Sequence, residues 1–179
     1  MQNSIYKGDR NSEIIQLFAQ TFTDSEGEKE GNAIGALVKK LLEITPKEDM
    51  RIFITTKGKE IIGGVIFSRM RFELSNINTW LLSPAAVATS AQGTGVGQSL
   101  IHYAHDFLKR EGMQVMVTYG DINFYSKVGY RPITEDMIPS PLKLTYPEGW
   151  IAQSLEDGEI KPIQGKSYCV EALDNPVYW

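Results

Sequence analysis

The sequence predicts a mixed α/β fold. A central sheet is antiparallel in its N-terminal half and parallel where a strand–helix–strand unit crosses over, with helices flanking it. Three observations carry this. Two helical patterns open the chain. Two runs of strand formers then meet at Lys57-Gly58-Lys59, a hairpin signal. A third extended run passes through a glycine-rich turn into a helix and then a short apolar strand, the pattern of a right-handed parallel crossover. At 179 residues the chain is long enough for one domain with a real core, and 1–179 is read as one.

The elements follow in order. Asn11 or Ser12 caps a helix through about Phe22, with Ile14, Ile15, Phe18 and Phe22 at helical spacing. Asp24 to Asn32 is polar and glycine-bearing and reads as a loop. A second helix runs from about Ala33 to Glu43 on the stripe Ile34, Leu37, Val38, Leu41 and Leu42, with Pro46 beyond it. Arg51 to Thr56 and Glu60 to Phe72 are strands. Gly63-Gly64 marks a bulge or a close backbone approach. Ser75 to Asn78 is a connector, and Thr79 to Thr89 is the third extended segment. The next helix, about Gln98 to Glu111, buries Leu100, Ile101, Ala104, Phe107 and Leu108 and stops at Gly112. Val115 to Tyr119 is a strand, and Ile122 to Val128 is a short helix ended by Gly129. Past Pro132, prolines at 139, 141, 147, 162 and 176 interrupt short strand-like pieces.

Composition narrows the function classes. A hydrophobic fraction of 42% and a charged fraction of 22% are those of a globular protein. The net charge of −4 argues against a nucleic-acid surface, which needs clustered Lys and Arg. No apolar run approaches the roughly 20 residues of a membrane span, and Met1 to Arg10 holds no apolar signal core. The lone Cys169 permits no disulfide within the chain and fits a reducing compartment. The expectation is a cytoplasmic protein without nucleic-acid or membrane partners.

The turn Gln92-Gly-Thr-Gly-Val-Gly97 carries the chemistry. Glycine permits φ > 0 and lets another group approach the backbone. The helix behind it aims free N–H groups and the positive end of its dipole at the turn. Together these form an anion cradle suited to a phosphate or diphosphate. The spacing fails the dinucleotide fingerprint, because the sixth position counted from Gly93 is Gln98. It also fails the nucleoside-triphosphate loop, because Gln98-Ser99 follows Gly97 with no lysine.

Ala88 to Gly97 resembles the acetyl-coenzyme A loop of the GNAT superfamily of N-acyltransferases. Phe124-Tyr125-Ser-Lys-Val-Gly129-Tyr130 resembles that family's Phe-Tyr-x-x-x-Gly-aromatic element, and the element order from Asn11 to Pro132 is similar. Leu82 to Val87 and Tyr119 to Tyr125 resemble a bacterial subgroup with an extended C-terminal part, here 132–179. The resemblance implies a GNAT-like fold and transfer of an acetyl group from acetyl-CoA to a primary amine, on a small molecule or a peptide, without a metal. A homodimer is compatible with it. The alternative is a domain that holds coenzyme A without turnover.

The resemblance implies roles by residue. Backbone N–H groups of Gln92, Gly93, Thr94, Gly95, Val96, Gly97 and Gln98 take the diphosphate. Val87 and Ala88 border the pantetheine arm, and the Val87 N–H is the oxyanion donor. Asn123 bonds the same arm or caps its helix. Tyr125 is the general acid, because a phenol near pKa ~10 stays protonated at neutral pH and can protonate a thiolate of pKa ~8.5. Glu73 and Asp121 are the candidate bases. Asp24, Glu26 and Glu28 form an acidic loop that is solvated or, as this fold would place it, borders the acceptor. Lys127 and Arg131 read as solvated charges, Phe124 and Tyr130 as core. His102 and His105 read as helix-surface residues, since two histidines make a poor metal site without a third ligand. Cys169 reads as structural.

Overall fold

A computed structural model describes all residues, Met1–Trp179. The elements are β1 (Gln2–Ile5), α1 (Asn11–Glu26), α2 (Glu28–Ile44), β2 (Met50–Lys57), β3 (Glu60–Phe72), β4 (Ser75–Val87), α3 (Val96–Arg110), β5 (Val115–Tyr119), α4 (Ile122–Tyr125), β6 (Arg131–Pro132), β7 (Trp150–Ser154) and β8 (Ser167–Tyr168). One mixed sheet runs in the order β1-β2-β3-β4-β5-β7-β6, and β8 pairs β3. The crossover is parallel as expected: Thr79 lies opposite Val115, and the pairing continues to Leu82 opposite Thr118. No helix is long and apolar enough to cross a membrane.

The chain divides into two compact units. The first comprises Met1–Phe67 and Pro84–Ala104. Its core holds Ile14, Phe18, Leu37, Leu41, Phe53 and Phe67. Phe53 meets Phe67 edge-on with ring centroids 5.9 Å apart. The close approach expected at Gly63-Gly64 is made by side chains. A Cβ on Gly63 would lie 3.2 Å from Val96 Cγ1, and one on Gly64 would lie 3.0 Å from a Phe18 ring carbon. α3 and α1 therefore seat directly on β3.

Two expectations fail in this unit. The loop foreseen over Asp24 to Asn32 shrinks to Gly27, because α1 runs to Glu26 and α2 starts at Glu28. The Glu-Lys-Glu run that looked loop-like is good helix material, and its acidic residues suit the N-terminus of α2. Gly31 stays helical because α1 crosses there; a Cβ on it would clash with Thr23 and the Ala19 carbonyl. The N-terminal polar stretch contains β1, which lies antiparallel to β2 from Gln2 opposite Thr56 to Ile5 opposite Phe53. An edge strand that buries little carries no alternation to read.

The second unit comprises Ser68–Ser83 and His105–Trp179. Trp80, Met116, Val117, Tyr130, Trp150 and Ile151 form its centre. The connector foreseen over Ser75 to Asn78 is part of β4, so the β3–β4 hairpin turns over Glu73 and Leu74 alone. The tail supplies β7, which lies antiparallel along β5 from Val115 opposite Ser154 to Tyr119 opposite Trp150. Trp150 anchors it by donating its indole N–H to the Ile138 carbonyl at 2.8 Å.

Candidate active site

In the first unit β4 delivers the chain into the glycine turn. The Ala88 N–H donates to the Ile62 carbonyl on β3 at 2.9 Å. Successive N–H groups of an extended chain face opposite edges, so the Val87 N–H faces away from β3. The Val87 carbonyl accepts the Gln92 side-chain N–H at 3.0 Å. The Thr94 hydroxyl donates to the Ala91 carbonyl at 2.7 Å. These two side chains brace the turn on its own backbone.

Gly93 and Gly95 have φ of +73° and +82°, the left-handed region expected of them, and a Cβ on either would point into open space. Gly97 lies inside α3. The first helical hydrogen bond of α3 runs from the Ser99 N–H to the Gly95 carbonyl at 3.0 Å. The N–H groups of Val96, Gly97 and Gln98 therefore precede any helical acceptor and carry the positive end of the dipole. The Val96 side chain is buried in the core, so only its backbone can meet a ligand. This arrangement suits an anion of diphosphate size.

Beside the turn, the Thr89 hydroxyl donates to the Asp24 carboxylate at 2.6 Å and the Gln20 amide donates to it at 2.7 Å. These bonds hold the Asp24 carboxyl below its usual range. Asp24 is exposed at the end of α1, Glu26 closes that helix, and Glu28 opens α2. A groove of about 440 Å³ passes between Gln16, Gln20, Asp24, Glu60 and Thr89.

The second unit holds Tyr125. Asp121 caps α4 by accepting the Asn123 backbone N–H and the Asn123 side-chain N–H, both at 2.9 Å. Asp121 is therefore the cap, and Asn123, expected as a possible cap, is the residue it holds. Tyr125 ends α4 with its ring edge-on to Phe124 and Tyr130, at centroid distances of 5.0 and 5.5 Å. The residue is half-buried, while its hydroxyl sits in dense surroundings. Burial pushes the phenol up to about 12, and a hydrogen bond with Thr118 opposes the rise. Thr118 in turn donates its hydroxyl to the Leu82 carbonyl at 2.8 Å. Glu73 is exposed in the β3–β4 turn, and seven residues of extended strand, roughly 23 Å, separate Ser75 from Leu82 beside Thr118, so the base role expected of Glu73 fails on distance. Lys127 and Arg131 are exposed, as foreseen. Tyr130 is fully buried core, and Phe124 is half-buried. Burial pushes the Cys169 thiol up to about 11, with the Asp174 charge adding to it, which leaves no thiolate at neutral pH.

One expectation is overturned here. His102 is exposed, but His105 is buried at 6% exposure. It follows Ile101 by four residues and precedes Leu108 by three, so it lies on the apolar stripe of α3. That spacing was the available signal. Its partners Tyr130 and Gln153 carry no sequence pattern that joins them to it.

Comparison with known proteins gives consistent findings. A family model of an acetyltransferase (GNAT) domain matches residues 48–132. An uncharacterised N-acetyltransferase of Escherichia coli K12, YjhQ, is 28% identical over 149 residues, which cover 80% of this chain and 78% of that protein. The crystal structure of the GNAT family N-acetyltransferase YhbS from Escherichia coli in complex with CoA is similar with a TM-score of 0.77 at 19% identity, covering 97% of this chain and 92% of that one. A GNAT family acetyltransferase from Brucella melitensis, solved with acetyl-CoA, gives 0.70 at 20% identity and covers 97% of both chains. The mixed sheet with its single parallel crossover and the bend at Gly93 and Gly95 agree with these matches: residues 48–132 match a GNAT acetyltransferase domain, and the chain has the GNAT fold.

Proposed function

We propose that this protein transfers an acetyl group from acetyl-CoA to a primary amine, on a small molecule or a peptide, by direct attack with both substrates bound. The observation that carries the reading is the left-handed bend at Gly93 and Gly95 ahead of the free N–H groups of α3. YhbS and the Brucella melitensis protein, solved with CoA and acetyl-CoA, share the fold. In this reading the N–H groups from Gln92 to Gln98 hold the diphosphate. Val87, Ala88 and Asn123 border the pantetheine arm. The Val87 N–H, turned away from β3, polarises the thioester carbonyl.

The amine nitrogen attacks the carbonyl carbon and the C–S bond breaks. The departing thiolate takes the Tyr125 hydroxyl proton, and the tyrosinate regains one from solvent. The new amide nitrogen loses its extra proton to Asp121, directly or through water. A phenol raised to about 12 is a weaker acid than an ordinary tyrosine, so donation to a thiolate of pKa ~8.5 is more uphill. The rest of the gain comes from holding amine and thioester together.

Thermal melting with acetyl-CoA, ATP and NAD tests the cradle: acetyl-CoA alone is expected to stabilise the fold. Thiol release from acetyl-CoA with lysine, spermidine, kanamycin A and a lysine-bearing peptide then tests transfer. Stabilisation without release under any amine would mark the chain as a holder of coenzyme A. Stabilisation by ATP or NAD instead would overturn the reading of the turn.

A further inference from the structure

The buried His105 belongs to a polar network that ends at Tyr130, the ring packed against Tyr125. The Val128 and Gly129 carbonyls, at 2.9 and 3.2 Å, accept the Gln153 side-chain N–H groups and so orient that amide. Its oxygen then accepts the His105 Nδ1–H at 2.6 Å. With the proton on Nδ1, Nε2 accepts the Tyr130 hydroxyl at 3.1 Å. Tyr130 reaches Tyr125 twice. Its N–H donates to the Tyr125 carbonyl at 3.2 Å, and its ring stands edge-on to the Tyr125 ring. Gln153 is on β7, His105 on α3, and Val128 and Gly129 lie between α4 and β6, so three separate segments are joined through the Gln153 amide, and His105 carries the link to Tyr130.

Such a set is costly to bury, and an apolar trio would fill the space without a partner to satisfy. What the polar set adds is direction: every donor in it has one acceptor, which fixes the Tyr130 ring in place. We propose that His105 and Gln153 are positioning residues that act through Tyr130 to aim the Tyr125 hydroxyl. This rests on the assignment of Tyr125 as the general acid. Misplacing a reacting group by about 1 Å costs up to ~10²-fold in rate, so a small drift of the ring is measurable.

The test is a pair of mutant cycles. Tyr130→Phe removes one hydroxyl, and His105→Gln keeps an acceptor near Nε2 where His105→Leu does not. Each is measured alone and with Tyr125→Phe, by thiol release from acetyl-CoA with hydroxylamine as the acceptor, per site titrated with acetyl-CoA. Tyr130→Phe and His105→Leu are expected to lower kcat on the order of tenfold with an unchanged KM for acetyl-CoA, and His105→Gln to lower it less. In the Tyr125→Phe background these losses are expected to vanish, because residues acting through one group are not additive. Losses that multiply with that of Tyr125→Phe, or a kcat that Tyr130→Phe leaves unchanged, would overturn the proposal. Should His105→Leu fail to fold, Tyr130→Phe decides alone. A Tyr125→Phe protein with undiminished turnover would remove the acid assignment itself, and this inference with it.

Discussion

Gly120 and Tyr125 touch so closely that a Cβ on Gly120 would lie 2.7 Å from Tyr125 Cε2. The φ of Gly120 is not in the left-handed region, so alanine is acceptable to the backbone and only the ring objects. Gly120→Ala therefore pushes the ring and nothing else. The expected result is a kcat lower by roughly 10- to 100-fold, with acetyl-CoA affinity unchanged. Steady-state kinetics and calorimetric titration of the variant separate the two. A loss of affinity without loss of kcat would place the Tyr125 ring in binding rather than in turnover.

The opposite split is expected at the turn. Gly95 has φ +82°, and any side chain there is strained by about 1–2 kcal/mol. Gly95→Glu adds an anion in front of the α3 N-terminus, where the proposed diphosphate sits. Loss of measurable acetyl-CoA binding is expected, with the fold kept. Calorimetric titration and a melting curve without ligand check both halves. Gly95→Ala brings the strain without the charge, so it is expected to weaken binding less.

Legibility followed how local each signal is. β3 and β5 were readable to the residue, because hydrophobic runs bounded by turns are local. Gly93, Gly95 and Gly129 were readable because left-handed backbone selects glycine. β1 and β7 were not readable as strands, since each is defined by the neighbour it pairs with rather than by its own pattern. The same limit hid the site's interior. Asp121 and Asn123 are two residues apart, and their cap was foreseeable in kind. His105 and Gln153 are 48 residues apart and meet only after β7 has docked on β5.

Tyr125→Phe keeps the ring between Gly120 and Tyr130 and removes only the proton. Turnover is expected to fall by about 10²–10⁴-fold while acetyl-CoA affinity holds. The wild-type rate has its own signature. With the phenol at about 12, the acid stays protonated well past pH 10, where an ordinary tyrosine is half ionised. The pH–rate profile is expected to show no loss attributable to this acid below about pH 11. A basic limb near 10 that disappears in Tyr125→Phe would mean that the hydroxyl is less buried than the structure describes.

The same two tyrosines set how the fold responds to alkali. Burial raises Tyr125 to about 12, and burial with Tyr125 beside it raises Tyr130 well above its ordinary value. Below pH 10 both are protonated in the folded and unfolded chains, so they add no pH dependence. Above pH 10 the unfolded chain releases protons that the folded chain retains. Stability then falls, by at most about 1.4 kcal/mol per pH unit for each group. The contribution of Tyr125 to that slope ends as pH passes about 12, where its folded form ionises too. Melting temperatures from pH 8 to 11.5 are expected to be governed by other groups up to pH 10 and to drop beyond it. Tyr130→Phe is expected to make the drop shallower, because one of the two retained protons is gone. Parallel curves for the two proteins above pH 10 would show that the Tyr130 hydroxyl ionises as freely in the fold as outside it.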